Sequence, residues 1–228
     1  MMGEEENLQL FKEWITLTDY DVLIKELSDA IDEGTPALTK ILFGTETPDL
    51  YSNHGAYRPG QHNHCVGLNT ERFTEKRLCK CMYYLNSIHT KRCDNCAFRD
   101  RFDVVGNYKI TDYEVPAFYY GNDIGEIDLI ISDGNIHYAT EVKPYKGNNE
   151  TLLRMIAEIM TYTEGYPERK YKKAIAFFER NCDDGEETAQ QKEYEAADPT
   201  LLALLKKADI TVFRFEKVSE KAYKICKL

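Results

Sequence analysis

The sequence predicts an α/β protein, and three observations carry that expectation. Segments with a helical period alternate with short runs rich in Val, Ile, Tyr and Phe, in the order helix, three strands, helix, strand, helix, strand from about residue 70 to 217. Two of those runs, 125–132 and 135–143, flank Asp133-Gly134, a dipeptide that favours a hairpin turn. The 228 residues, 43% of them apolar, suffice for one domain with a buried core.

The elements follow in order. Thr18 or Asp19 can cap a helix over 20–33, with Leu23, Leu27 and Ile31 on one side and Gly34 as its stop. Residues 35–44 read as a short helix, with Thr35 as cap, Pro36 at its first position and Gly44 at its end. Residues 45–69, rich in Gly, Pro, Asn and His, read as a long loop. A helical period returns at Thr70, with Phe73, Leu78, Met82 and Leu85 apolar. Strands are expected over 108–120, 125–132 and 135–143. The clearest helix spans 150–166, where Leu152, Met155, Ile156, Ile159 and Met160 share a face and Gly165 ends it. A buried-type strand (171–180), a polar mobile loop (183–198), a helix opening near Pro199 and a last strand (209–218) complete the chain.

Charge divides the chain into three parts. Residues 1–57 carry 3 Lys+Arg against 12 Asp+Glu, residues 58–109 carry 10 against 5, and residues 110–228 carry 16 against 22. The net charge of −10 therefore hides a basic island that also holds five of the seven cysteines. Such a patch can attract phosphates in an acidic protein, although a merely solvated basic face would read the same. The expected organisation is an acidic helical N-terminal region (1–57), a basic Cys-rich zinc-binding module (58–107) and an α/β core (108–228). No apolar run approaches the roughly 18 residues that span a bilayer, and the acidic opening lacks the features of a secretory signal. The expectation is a cytoplasmic protein whose cysteines are thiols or metal ligands.

The hairpin carries the chemistry. Alternate side chains of a strand face the same way, so Glu126 and Asp128 project together, as do Glu141 and Lys143. Antiparallel pairing then brings Asp128 towards Glu141. Carboxylates held close repel unless a cation lies between them, and oxygen donors suit a hard ion, Mg²⁺ or Mn²⁺. Lys143 beside them can orient water and offset charge on a phosphate, as metal-assisted phosphodiester hydrolysis requires. Ile127, Leu129, Ile130 and Ile131 argue against a plain surface hairpin, because they mark the strand as buried.

The stretch "GEIDLI…D…EVK" resembles the PD-(D/E)xK nuclease superfamily, in particular its Holliday-junction-resolvase-like and exonuclease-like branches. The resemblance implies a restriction-endonuclease-like core, with a helical N-terminal region and a Cys-rich insertion added to it. It implies that Asp128, Glu141 and the backbone carbonyl of Val142 hold Mg²⁺ or Mn²⁺ and that Lys143 serves catalysis. Ile127 stands where the superfamily's name expects Pro. Members often add a Glu from the helix before the first strand, for which Glu71 and Glu75 are the candidates, each more readily read as a solvated helix acid. Some carry a Gln-x-x-x-Tyr pair on the helix after the Lys; here the spacing is kept by Glu158 and Tyr162, with Glu in place of Gln. The implied partner is nucleic acid, DNA before RNA, with the phosphate contacts expected from Lys76, Arg77, Lys91, Arg92 and Arg99. Tyr83, Tyr84 and Phe98 are interleaved with them, either to stack on bases or to form the core of the module.

Cys79, Cys81, Cys93 and Cys96 form a C-x-C and a C-x2-C pair, a set suited to structural Zn²⁺. Residues two apart sit about 200° apart around a helix, so either the helix ends before Cys79 or the ligand set differs. His62, His64, Cys65 and His89 are the substitutes. An iron–sulfur cluster and unliganded thiols are the alternatives, and Cys182 and Cys226 read as ordinary thiols. Two rivals to a nuclease remain: a non-catalytic nucleic-acid-binding protein of the same fold, and an interaction module. In the latter the acidic N-terminal region docks a protein partner or supports a homodimer.

Overall fold

The computed structural model describes residues 20–32, 74–87, 102–116, 126–146, 150–164 and 171–228 apart from 221. These residues form an α/β arrangement with one mixed sheet of seven strands, in the order β1-β7-β6-β5-β4-β3-β2. In chain order the elements are α1 (Tyr20–Asp32), α2 (Glu75–Ser87), β1 (Asp103–Val105), β2 (Lys109–Pro116), β3 (Glu126–Ser132), β4 (His137–Lys143), α3 (Leu152–Glu164), β5 (Lys172–Phe178), α4 (Ala189–Glu195), α5 (Pro199–Lys207), β6 (Ile210–Lys217) and β7 (Ala222–Lys227). Strands β2, β3 and β4 form an antiparallel meander, and α3 then crosses over so that β5 runs parallel to β4. Among the described residues no helix is long and apolar enough to cross a membrane.

Both faces of the sheet are covered. On one face, Leu23 and Leu27 of α1, Leu152, Ile156 and Ile159 of α3, and Leu201 and Leu204 of α5 pack on Ile175, Phe177 and Val212. On the other, Leu78, Met82 and Tyr84 of α2 pack with Phe102 on Leu129, Ile131, Val142, Phe178 and Phe213. Strand β5 sends Ile175 and Phe177 to the first face and Ala174, Ala176 and Phe178 to the second. Burial on both sides is why its sequence is an unbroken apolar run rather than an alternating one.

The hairpin forms where Asp133-Gly134 predicts it. Gly134 takes φ 99°, and Asp133 Oδ1 accepts from the backbone N–H groups of Asn135 and Ile136, each at 2.9 Å. A side-chain oxygen taking two turn amides lowers the Asp133 carboxyl below its ordinary range. The ladder runs Leu129↔Thr140, Ile130↔Ala139, Ile131↔Tyr138 and Ser132↔His137.

Several expectations change. Helix α2 does not end before Cys79 but continues to Ser87. Tyr83 and Tyr84 are buried and pack edge-on at 5.2 Å, so neither presents a face for stacking on a base. The 183–198 segment is not all loop: Thr188 caps α4, its hydroxyl accepting from the Gln191 N–H at 3.2 Å, and Gln190 and Gln191 are buried. Strands β1 and β7 were not foreseen. Strand β7 alternates buried Tyr223 and Ile225 with exposed Lys224, and β1 is only three residues long. Both α2 and β1, from the Cys-rich segment, pack into the same core as the strands that follow. The short helix expected at 35–44 and the loop at 45–69 lie outside the described residues.

Candidate metal centre

The strands set the geometry. One step outward from the Leu129↔Thr140 pair, Asp128 on β3 and Glu141 on β4 come opposite each other. Asp128 Oδ2 accepts from the Val142 backbone N–H at 2.8 Å, which pins the carboxylate to the neighbouring strand. Glu141 and Lys143 share a parity with Ala139, which belongs to the face covered by α3. Glu75 opens α2, whose first turn is capped by Thr74 Oγ1 accepting from the Arg77 N–H at 3.2 Å. One carboxylate oxygen from each of Glu75, Asp128 and Glu141 can lie within 4.8 Å of the others. Three acids thus converge from three elements: two neighbouring strands of one hairpin and a helix that starts more than fifty residues earlier in the chain.

Lys143 fills the middle of a larger acidic network. Its Nζ lies 2.7 Å from Glu141, 3.1 Å from Glu150, and 3.3 Å from both Glu75 and Glu158. Arg154 pairs with Glu150 and, at 3.3 Å, with Glu158. Counting Asp128, five carboxylates face one lysine and one arginine, an excess of three negative charges if all ionise. Glu141 is 3% exposed, and its Oε2 is buried without a hydrogen-bond partner. An orphaned carboxylate oxygen at that depth is costly, and a cation in the cluster would satisfy it.

The electrostatics follow from the crowding. Burial and the Glu75 charge push the Asp128 carboxyl up to about 8. Burial and the Asp128 charge hold Glu141 well above the carboxylate range. Glu158 moves the other way: Lys143, Glu141 and Arg154 together outweigh its burial and lower it. Lys143 is raised despite burial, by Glu141, Glu158, Asp128 and Glu75, and stays charged.

The expected residues are placed as follows. Asp128, Glu141, Lys143, Glu75 and Glu158 come together. Tyr162, one turn after Glu158, is buried beside them, its hydroxyl pushed up by burial and by Glu141 and Glu158. Val142 contributes its N–H to Asp128. Glu126 stays outside the trio, exposed and bound to Lys76 at 3.1 Å. Glu150 and Arg154 were not anticipated; they stand two turns and one turn before Glu158 in sequence, an i, i+4, i+8 series that a helical reading could have found.

Cys79 and Cys81 are both buried within one helix, on opposing sides of it. The helix continues through both, which is the case in which the sequence expects a ligand set other than this pair. Cys79 lies one turn after Glu75, and burial together with the nearby Asp128 and Glu75 charges keeps its thiol protonated. Cys65, Cys93, Cys96, His62, His64, His89, Glu71, Lys91, Arg92, Phe98 and Arg99 lie outside the described residues. Compared with family models, with curated proteins and with solved structures, the chain finds no match in any of the three.

Proposed function

We propose that the chain is a divalent-metal-dependent nuclease with a restriction-endonuclease-like core, cleaving phosphodiester bonds of nucleic acid, DNA before RNA. One observation carries the reading: a carboxylate oxygen from each of Glu75, Asp128 and Glu141 converges within 4.8 Å, with Lys143 alongside. The donor set is all oxygen and suits Mg²⁺ or Mn²⁺. When bound, such an ion supplies Lewis acidity and positive charge against the phosphate. Asp128 and Glu141 hold it, with the Val142 carbonyl as a further donor, and Glu75 closes the set from α2. Lys143 stays protonated and donates hydrogen bonds to water or to a phosphate oxygen, which offsets the charge that builds there. Glu150, Glu158 and Arg154 hold Lys143 in place until then. Lys76 and Arg77 follow Glu75 directly on α2 and would offer positive charge to a polyanion beside the acidic trio.

The test is incubation of purified protein with labelled linear, branched and single-stranded DNA and RNA, with Mg²⁺, Mn²⁺ or EDTA. Cleavage should need the metal and be nearly abolished by Asp128→Ala, Glu141→Ala or Lys143→Ala. Protein that cuts no substrate with either ion, and binds no Mn²⁺ by calorimetry, would leave a non-catalytic module as the reading.

A further inference from the structure

One of two non-glycine residues with positive φ in the described chain, Glu114, stands at φ 46° inside strand β2. The left-handed region is costly for a residue with a Cβ, and such a conformation persists where surrounding contacts hold it. The register Tyr113↔Leu129 and Val115↔Ile127 puts Glu114 opposite Asp128, the candidate metal ligand. Its carboxylate meets Lys76: Nζ lies 3.3 Å from Glu114 Oε2 and 3.1 Å from Glu126 Oε2. Lys76 is thereby tied at once to β2 and to β3. It is also the residue immediately after Glu75, whose carboxylate reaches Lys143 at 3.3 Å and completes the acidic trio.

We propose that Glu114 is a positioning residue: acting through Lys76, it fixes the first turn of α2 against the β2–β3 corner and so holds Glu75 over the metal centre. Helix ends fray unless tied down, and Glu75 is the first residue of its helix. A half-buried carboxylate at a fraying end would contribute little to ion binding. The lysine between two strands removes that freedom, and the strained backbone of Glu114 is what aims one of the two carboxylates at it. Lys76 therefore has a duty in the nucleic-acid-free protein distinct from the phosphate contact expected of it from sequence. The inference rests on the metal-centre reading for Glu75's role, whereas the clamp itself does not.

The experiment is a double-mutant cycle on the full chain, read by Mn²⁺ calorimetry. Glu114→Gln should weaken Mn²⁺ binding about fivefold, the size of one good ion pair. Glu75→Gln should weaken it further, and the double variant should bind no more weakly than Glu75→Gln alone, because Glu114 acts only through Glu75. A merely structural role would lower affinity by the same factor in both backgrounds, and that result, or unchanged binding in Glu114→Gln, overturns the proposal. Hydrogen exchange on the metal-free protein decides the clamp independently. Glu114→Gln and Lys76→Met should each raise exchange over residues 75–80 and leave α5 unchanged; equal protection in wild type and variants would end the idea. Wild-type protein that binds no Mn²⁺ but shows that exchange difference would refute the metal reading and retain the clamp.

Discussion

Lys143 Nζ lies 2.7 Å from Glu141 Oε1, two residues back on the same strand, with Glu141 3% and Lys143 4% exposed. The pair sits at the end of β4, on the face that α3 covers. Three further carboxylates reach the same ammonium group. A buried lysine so placed acts as the counter-ion of the whole cluster.

Removing that counter-ion should cost the metal-free fold dearly. Lys143→Met leaves the buried Glu141 without its ion-pair partner, while Arg154 still meets Glu150 and Glu158, and breaking a buried ion pair costs about 3–5 kcal/mol. Urea unfolding in EDTA should show a loss of that order, and Mn²⁺ should recover part of it by replacing the lost charge. A variant as stable as wild type in EDTA would mean that the network is open to water.

The site should also make metal binding and stability depend on pH. Asp128 keeps its proton to about 8, against an unfolded value of 3.8, because of burial and Glu75. A carboxyl raised in the fold stabilises it below the unfolded value and loses that contribution as pH climbs to the folded one. Metal-free protein should therefore lose stability between pH about 4 and 8, with Asp128→Asn flattening the slope. Mn²⁺ must displace the proton, so its affinity should rise by about tenfold per pH unit per proton below pH about 8 and then level off. Affinity independent of pH from 6 to 8 would contradict the protonated site.

Cys79 should behave as a core residue rather than as a zinc ligand. Its thiol is fully buried in the α2 face of the core. Cys79→Ser buries a hydroxyl in its place and should cost about 1–3 kcal/mol, while zinc per chain by elemental analysis stays as in wild type. Zinc lost together with Cys79 would restore it as a ligand.

Helix α4 should brace the centre from behind. Gln190 donates from Nε2 to the Glu150 carbonyl at 2.7 Å, and Glu193 Oε2 accepts from the Leu152 N–H at 2.9 Å, capping α3 from outside its own sequence. Glu193→Ala should cost about 1 kcal/mol, as the loss of a cap does. Hydrogen exchange should localise the effect to the start of α3, and uniform loosening of the whole chain would argue against a local brace.

What the sequence determined by itself was local. The alternation of strands β3 and β4 put Asp128, Glu141 and Lys143 on shared faces, the Asp-Gly dipeptide set the turn, and the 3.6-residue period placed Glu158 and Tyr162 one turn apart. These relations depend only on backbone geometry within a few residues, so they can be read from the chain. The tertiary structure decided what no local period encodes. It brought Glu75, more than fifty residues before Asp128, to the strand ends, recruited Glu150 and Arg154 around Lys143, and tied Lys76 to Glu114. It also kept α2 helical through both cysteines, because the surface buried by Leu78, Met82 and Tyr84 outweighs the pairing that a C-x-C spacing suggests. Strands β1 and β7 were hidden for the same reason: a three-residue edge strand and a half-polar one are held by their partners in the sheet, not by their own propensity.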